Sequence, residues 1–302
     1  MNRYGKVAVL YGGLSSEREV SLKSGTAVLV ALLARGIDAH GLDVGTDLAE
    51  RLMRGRYDRA FIVLHGRMGE DGCVQGLLEV LGIPYTGSQV TASAVAMDKV
   101  LSKAIWKAVS IPTPDYHVIQ SDAQLDVALA LGFPLIIKPV SEGSSLGVSK
   151  VRAVEELKAA YKKARAFGQV IAEQCIVGPE YTCALLGDKG LPVIRLETPH
   201  DIYDYEAKYL LNSTQYHCPS GLSEPAESEV QNIARAAFTA LGARGWGRVD
   251  IMADSQGHFY VLELNTVPGM TDHSLVPMAA RAAGLSFGEL VDEILAQTLE
   301  GL

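Results

Sequence analysis

Phe259-Tyr260-Val261-Leu262-Glu263-Leu264-Asn265 reads as a β-strand, rich in aromatic and branched residues. Side chains alternate across a strand, so Glu263 and Asn265 are expected on one face and Leu262 and Leu264 on the other, in a core. An earlier apolar run that begins at Trp246 ends in Asp250. Two carboxylates and an amide oxygen suit a hard cation such as Mg²⁺, which keeps waters and completes its shell with substrate phosphates. A phosphate-bearing substrate is therefore implied. The same residues also read as the solvated face of an amphipathic hairpin turning at Asp254-Ser255-Gln256-Gly257, and this pair of strands alone leaves both readings open.

Working outward, the first 90 or so residues alternate strand and helix signals: Val7 to Tyr11, a helix from about Val20 to Arg35 stopped by Gly36, Arg59 to His65, then Val74 to Leu81. That alternation predicts a parallel α/β sheet, and Ser16 with Glu19 has the spacing of a capping box. A second unit carries a helix over Asp98 to Val109, a strand over Pro134 to Lys138 and a helix over Val154 to Phe167. A third has strands at Tyr181 to Leu186 and Val193 to Glu197, a long polar segment from Thr198 to Leu222, and helices over Ala226 to Leu241 and Phe287 to Leu299. Polar segments of that length without an evident helix or strand are usually lids or binding loops. Ser286 and Glu289 form a second capping-box pattern.

The 302 residues exceed the usual size of one domain. The expected division is 1–92, a parallel α/β substrate domain; 93–172, a central domain; and 173–302, a C-terminal domain with the metal site and lid. With 48% hydrophobic and 21% charged residues the chain is an ordinary globular protein. No apolar run reaches the length of a membrane helix and no signal peptide is evident, so a cytoplasmic location without a membrane partner is expected. Cys73, Cys175, Cys183 and Cys218 lack zinc or redox spacing and read as reduced thiols. A net charge of -8 disfavours nucleic acid as partner.

Neither familiar nucleotide signature, the Gly-x-x-x-x-Gly-Lys-Ser/Thr loop or Gly-x-Gly-x-x-Gly, is present. In their place Lys138-Pro139-Val140-Ser141-Glu142-Gly143-Ser144-Ser145-Leu146-Gly147 sets a strand-terminal lysine before a loop of small residues whose N–H groups and hydroxyls can approach phosphate. A flexible hairpin has the same composition. Lys99 is a second cation, or a solvated helical lysine. Asp204-Tyr205-Glu206-Ala207-Lys208-Tyr209 lies in the long segment and reads as a closing loop or a charged solvated one. His65 ends a predicted parallel strand, where open α/β sheets place ligands, although such a histidine is more often structural. Glu17, after Gly12-Gly13, either favours a helix dipole or holds an ammonium group.

Taken together, and in this order, the segments Gly12-Gly13 to Ser21, His65-Gly66 with Gly69 to Gly72, Met97-Asp98-Lys99, Lys138 to Ser145, Asp204 to Tyr209, Gly247 to Asp250, Glu263 to Thr266, and Pro268 to Thr271 with Ser274-Leu275 resemble the D-alanine:D-alanine ligases of the ATP-grasp superfamily over nearly the whole chain. The resemblance implies a three-domain α/β ATP-grasp architecture with an N-terminal Rossmann-like domain. It implies an enzyme that phosphorylates one D-alanine with ATP and joins the D-alanyl phosphate to a second through a tetrahedral intermediate, for peptidoglycan precursor synthesis. A carboxylate meeting a γ-phosphate is repelled by about 4 kcal/mol per charge pair at ~4 Å and an effective dielectric near 20, so several cations are required.

By that resemblance Asp250, Glu263 and Asn265 would hold two Mg²⁺ ions, with Mn²⁺ as an alternative. Lys99, Lys138 and Lys208 would neutralise phosphates, with Ser145 in the phosphate loop. Glu173, Gln174, Ile176 and Glu180 would bind the nucleotide, Cys175 standing where relatives often have a bulky aromatic. Glu17, Ser144 and Tyr209 would form a hydrogen-bonded set at the first ammonium, with His65 near the first carboxylate. Arg248 and the Gly269 N–H would stabilise the oxyanion, and Ser274 with the Leu275 N–H would receive the second carboxylate. A homodimer is implied by the family alone. Another ATP-grasp ligase, including one forming the D-lactate ester, is the nearest alternative reading, and a non-catalytic nucleotide-binding protein a more distant one.

Overall fold

The computed structural model describes residues 3–198 and 214–299. Its first layer is parallel. Strand β1 (Val7–Gly12) runs into helix α1 (Arg18–Ala34), followed by β2 (Ala39–Val44), α2 (Leu48–Gly55), β3 (Arg59–Ile62) and α3 (Cys73–Val80). The sheet order is β2-β1-β3, with both pairings parallel. Val7 to Leu10 are wholly buried and form the apolar centre expected of a strand covered on both faces. Strand β2 and helix α2 have no counterpart in the sequence reading, because His40, Gly41 and Asp43 break the apolar pattern.

The expected capping box at Ser16 and Glu19 is absent. Helix α1 begins with Glu17 at the N-cap position and no side-chain cap. Ser15 is held elsewhere, its hydroxyl donating to the His65 carbonyl at 2.7 Å, and Glu17 turns its carboxylate to Ser144. The start of α1 is thus arranged around neighbouring loops instead of around its own first turn.

Helices α4 (Val90–Met97) and α5 (Lys99–Ala108) lead to the second sheet. It contains β4 (Tyr116–Ile119), β5 (Leu135–Pro139), β6 (Ser149–Val151) and, after α6 (Val154–Arg165), β7 (Val170–Gln174), in the order β4-β7-β5-β6 and antiparallel throughout. Leu157, Ala160, Tyr161 and Ala164 of α6 close its core on Leu135, Ile137 and Ala172.

The third sheet holds β8 (Glu180–Leu186), β9 (Lys189–Gly190), β10 (Ile194–Glu197), β11 (Gln215–His217), β12 (Trp246–Ala253) and β13 (Phe259–Asn265). Its order is β11-β10-β8-β12-β13, with β9 on β8. The end of the polar segment expected to lack structure is therefore a strand, paired antiparallel to β10. Helix α7 (Glu224–Ala240) covers this sheet together with α4 and α5. The Trp106 indole, fully buried, donates to the Ala237 carbonyl at 3.0 Å and so fastens α5 to α7. Val249, Ile251, Val261 and Leu264 are buried below them, each contributing about 2 kcal/mol of apolar burial.

One register detail corrects the strand reading. Asp250 pairs with Glu263 but Ile251 pairs with Val261, so Leu262 is an extra residue, a β-bulge on β13. Core residues are Phe259 and Val261 before the bulge and Leu264 after it. Leu262 does not join Leu264 in the core, because the inserted residue resets the alternation. Beyond the bulge Glu263 and Asn265 keep their common parity.

The chain finally returns to its beginning. Helix α8 (Leu275–Ala282) and helix α9 (Phe287–Ala296) bury Leu275, Val276, Ala279, Leu290, Val291 and Ile294 in the same core as β1 and α1. The capping box at Ser286 forms as expected, with Ser286 accepting from the Glu289 N–H at 3.3 Å and Glu289 from the Ser286 N–H at 2.9 Å. The Met270 N–H donates to Ser24 Oγ at 3.0 Å, pinning the loop before α8 to α1. That return carries Gly269 and Ser274 to the cavity lined by Glu17 and His65.

Candidate active site

Two cavities open beside β13. One of about 520 Å³ lies between the second and third sheets and is lined by Lys99, Lys138, Ser145, Glu173, Gln174, Cys175, Ile176, Glu180, Asp250, Leu262 and Glu263. The other, of about 670 Å³, is lined by Glu17, His65, Glu70, Ser144, Arg248, Glu263, Asn265, Gly269, Ser274 and Leu275. Glu263 faces both. Every candidate residue within the described part of the chain lies on one cavity or the other, while Lys208 and Tyr209 lie outside the described residues.

Where the cavities meet, antiparallel pairing of β12 with β13 puts Arg248 opposite Asn265 and Asp250 opposite Glu263. Asp250 Oδ1 accepts from Arg248 Nε at 2.8 Å and Thr182 Oγ1 at 2.7 Å. Its Oδ2 accepts from Arg248 Nη2 at 2.7 Å and Asn265 Nδ2 at 3.1 Å. Lys99 Nζ stands 3.3 Å from Glu263 Oε2 and donates to the Glu142 carbonyl at 2.8 Å. Lys99 is fixed at the start of α5 because Asp98 caps that helix, accepting from Val100 and Leu101 N–H groups. Among the described residues no three His, Cys, Asp or Glu side chains cluster as a metal site. A cation here would draw on Asp250 and Glu263 with the Asn265 amide oxygen, an all-oxygen donor set that fits Mg²⁺ and not a soft metal.

Behind the first cavity lies a buried charge cluster that the sequence did not reveal. Glu173 on β7 meets Lys138 Nζ at 3.0 Å and Lys103 Nζ at 2.8 Å. Lys103 donates to Thr113 Oγ1 at 2.7 Å, and Thr113 donates to the Val261 carbonyl at 2.8 Å. Burial pulls the Lys103 ammonium down to about 8, with Glu173 opposing the shift. Burial alone would raise the Glu173 carboxyl, but Lys103 and Lys138 together hold it below the usual carboxylate range.

In the second cavity Ser144 Oγ donates to Glu17 Oε1. Ser144 and Ser145 both adopt left-handed backbone, with φ of 50° and 57°. Non-glycine residues in that region store roughly 1–3 kcal/mol each, a cost typical of ligand-binding loops. A Cβ on Gly66, where φ is +66°, would lie 2.9 Å from Glu17 Oε2. Glycine at that position therefore gives the carboxylate room. His65 Nδ1 donates to the Val267 carbonyl at 2.8 Å, which fixes the ring, and its buried Nε2 has no hydrogen-bond partner among the described residues. Burial lowers the His65 pKa against the pull of Glu17, so the ring is neutral and Nε2 carries a lone pair.

Glu70 accepts from the Gly66 N–H at 2.7 Å and the Val267 N–H at 3.3 Å. Burial, reinforced by Glu17, pushes its carboxyl up to about 8. Ser274 occupies the N-cap position of α8 and accepts from the Thr271 N–H at 2.9 Å. The Leu275 N–H thus opens that helix, where the dipole favours an anion. A Cβ on Gly269 would lie 2.8 Å from Ser274 Oγ, which accounts for glycine beside the cap.

Several residues in or next to the cavities escaped the sequence reading. Thr182 alternates with Glu180 on β8, a period that would have flagged it. Lys103 follows Lys99 by one helical turn, a spacing that puts both on one face of α5. Glu70 sat inside a quoted motif without a role. Lys150 and Arg195, also on the first cavity, had no local signal.

A family model described as "D-ala D-ala ligase C-terminus" matches residues 105–296, and one described as "D-ala D-ala ligase N-terminus" matches residues 44–88. A D-alanine–D-alanine ligase from Ectopseudomonas mendocina is 58% identical over 299 residues, covering 98% of this chain and 96% of that one. The chain belongs to the D-alanine–D-alanine ligase family. Another member, from Nitrosococcus oceani, is 56% identical over 98% of this chain and 95% of its own. A crystal structure of the Bacillus anthracis D-alanine–D-alanine ligase superposes with a TM-score of 0.88 at 36% identity, covering 98% of both chains. The same enzyme complexed with ATP superposes at 0.86 with 34% identity, covering 98% of both chains. The VanG D-Ala:D-Ser ligase of Enterococcus faecalis reaches 0.85 at 31%, over 98% of this chain and all of that one. The family's ATP-grasp fold, expected from the motifs, is the fold described above.

Proposed function

We infer that this chain joins two D-alanine molecules at the expense of ATP, yielding D-alanyl-D-alanine for peptidoglycan precursors. The observation that carries this reading is the position of Glu263, shared between two cavities of different chemistry. The cavity with Lys99, Lys138 and Glu180 suits a nucleotide. Its neighbour, lined by the Glu17 carboxylate as well as by Arg248, Ser274 and the start of α8, suits amino acids that carry both charges.

In this reading Glu17, held by Ser144, binds the ammonium of the first D-alanine and His65 lies at its carboxylate. Lys99, Lys138 and the Ser145 loop receive the phosphates, and Glu173, Gln174, Ile176 and Glu180 the adenosine. Asp250, Glu263 and Asn265 hold two Mg²⁺ ions, or Mn²⁺, which when bound neutralise phosphate charge during transfer. Arg248 and the Gly269 N–H face the oxygen that turns anionic when the second amine attacks the acyl phosphate. Ser274 and the Leu275 N–H take the second carboxylate. Lys208 and Tyr209 join these sets through the family resemblance. Partly buried Cys175 stands where relatives often have a bulky aromatic, on the adenine side in this reading. No helix among the described residues is long and apolar enough to cross a membrane. A cytoplasmic homodimer completes the reading, with sedimentation velocity as the check on its assembly.

Phosphate release from ATP and Mg²⁺ in the presence of D-alanine, L-alanine, and D-alanine paired with D-serine or D-lactate tests the assignment. D-alanine alone should support turnover and give the dipeptide. Equal release with L-alanine, or a strict need for a different second substrate, overturns it.

A further inference from the structure

Among the described residues Lys103 is a lysine with 0% exposed surface, and it does not line the nucleotide cavity. A lysine is rarely buried so completely unless paired. Its partner, Glu173, is the carboxylate that also meets Lys138, and these two line the cavity while Lys103 stands behind them. A Lys138–Glu173 pair by itself would be electrically neutral and would do little to draw a polyanion. With Lys103 behind it, two ammonium groups share one carboxylate and the cluster carries one net positive charge.

We propose that Lys103 is a positioning residue that neutralises Glu173 from the protein interior, so that Lys138 presents an uncompensated charge to the nucleotide's phosphates. The inference rests on reading this cavity as the nucleotide site. Lys103 is itself aimed by Thr113, whose hydroxyl is tied to the Val261 carbonyl on β13. One buried ammonium therefore connects α5, the segment before β4, β7 and β13, the elements that bracket the cavity. A merely structural cross-link would support every part of the nucleotide alike. The electrostatic role acts on phosphate alone, because adenosine carries no charge for Lys138 to attract.

Binding of ATP and of adenosine, measured by isothermal titration calorimetry, separates the two roles in wild type, Lys103→Met, Glu173→Gln and the double variant, with melting curves to confirm folding. Lys103→Met should weaken ATP by about tenfold or more and adenosine by less than about threefold. In the double variant Lys138 loses its carboxylate as well, so the preference for ATP over adenosine should return towards the wild-type value. In Glu173→Gln alone the buried Lys103 loses the carboxylate that keeps it protonated, so the preference should match that of the double variant. If Lys103→Met melts below the assay temperature, Lys103→Gln, whose amide can still donate to Glu173 and Thr113 without a charge, gives the same comparison. Equal losses for ATP and adenosine in Lys103→Met, or a double variant whose preference for ATP is no greater than that of Lys103→Met, would overturn the proposal. If wild type bound neither compound, the nucleotide assignment would fall, and the role of Lys103 with it.

Discussion

Arg248 and Asp250, two residues apart on one strand, form a bidentate pair at 2.8 and 2.7 Å. With Thr182 and the Asn265 amide on the same carboxylate, the roughly four lone-pair sites of Asp250 are all in use. A cation approaching Asp250 would therefore compete with the guanidinium, and the residues proposed as oxyanion donor and metal ligand form one hydrogen-bonded unit.

Replacing Arg248 by Ala should lower kcat by about 10²–10³-fold, the usual loss on removing an oxyanion donor, with a smaller change in the KM for ATP. Mn²⁺ affinity of the resting protein, followed by electron paramagnetic resonance, should hold or rise, because two acceptor sites on Asp250 are released. An unchanged kcat sinks the oxyanion assignment.

Glu263→Gln keeps the shape of the side chain but removes the charge shared by both cavities. Turnover should fall by about 10²-fold or more, and the same resonance titration should show weakened Mn²⁺ binding. Because Lys99 stands 3.3 Å from this carboxylate, its ammonium also loses a partner. Wild-type Mn²⁺ binding in the variant would exclude Glu263 as a ligand.

Glu70 gives the protein a pH signature. Its carboxyl is raised to about 8, so across the interval from its ordinary value of 4.5 the folded chain holds a proton that the unfolded chain has released. Stability is fully present below the unfolded pKa and declines as pH rises to about 8, after which this contribution is flat. Glu70→Gln, which still accepts from a backbone N–H, should flatten the decline. Parallel melting profiles for the two proteins between pH 5 and 8 would contradict it, a range that follows from that linkage.

At His65 the Nδ1 proton is committed to Val267, so Nε2 can meet a carboxylate only by gaining a proton. Binding of D-alanine should therefore take up protons near neutral pH, seen as a dependence of the calorimetric heat on the buffer's ionisation enthalpy. Absence of uptake in wild type, or the same uptake in His65→Gln, would show that Nε2 accepts from a neutral donor instead.

Much of this site was legible because its residues sit at the ends of strands and in glycine-rich loops that no core requires. Glu17, Lys138, Asp250 and Asn265 are polar where packing asks for nothing polar, and their order along the chain carried the resemblance. Other features depend on contacts that one strand or helix cannot disclose. Lys103 looks like any helical lysine until β7 brings Glu173 against it. Strand β2 is broken in pattern because it is an edge strand, with His40 and Asp43 exposed. Ser16 and Glu19 have the spacing of a cap, yet the segment before α1 is bound to the His65 loop.

The bulge at Leu262 divides the labour of β13. Upstream, every second residue answers to the hydrophobic interior; downstream, every second residue answers to chemistry; and the surplus residue itself lies against the nucleotide cavity. The strand thus changes trade within a single peptide unit. Removing that one residue would restore a regular alternation from Val261 to Asn265 with the same β12 partners, so its cost would fall on the cavity between the second and third sheets, which would lose the side chain that lies against it.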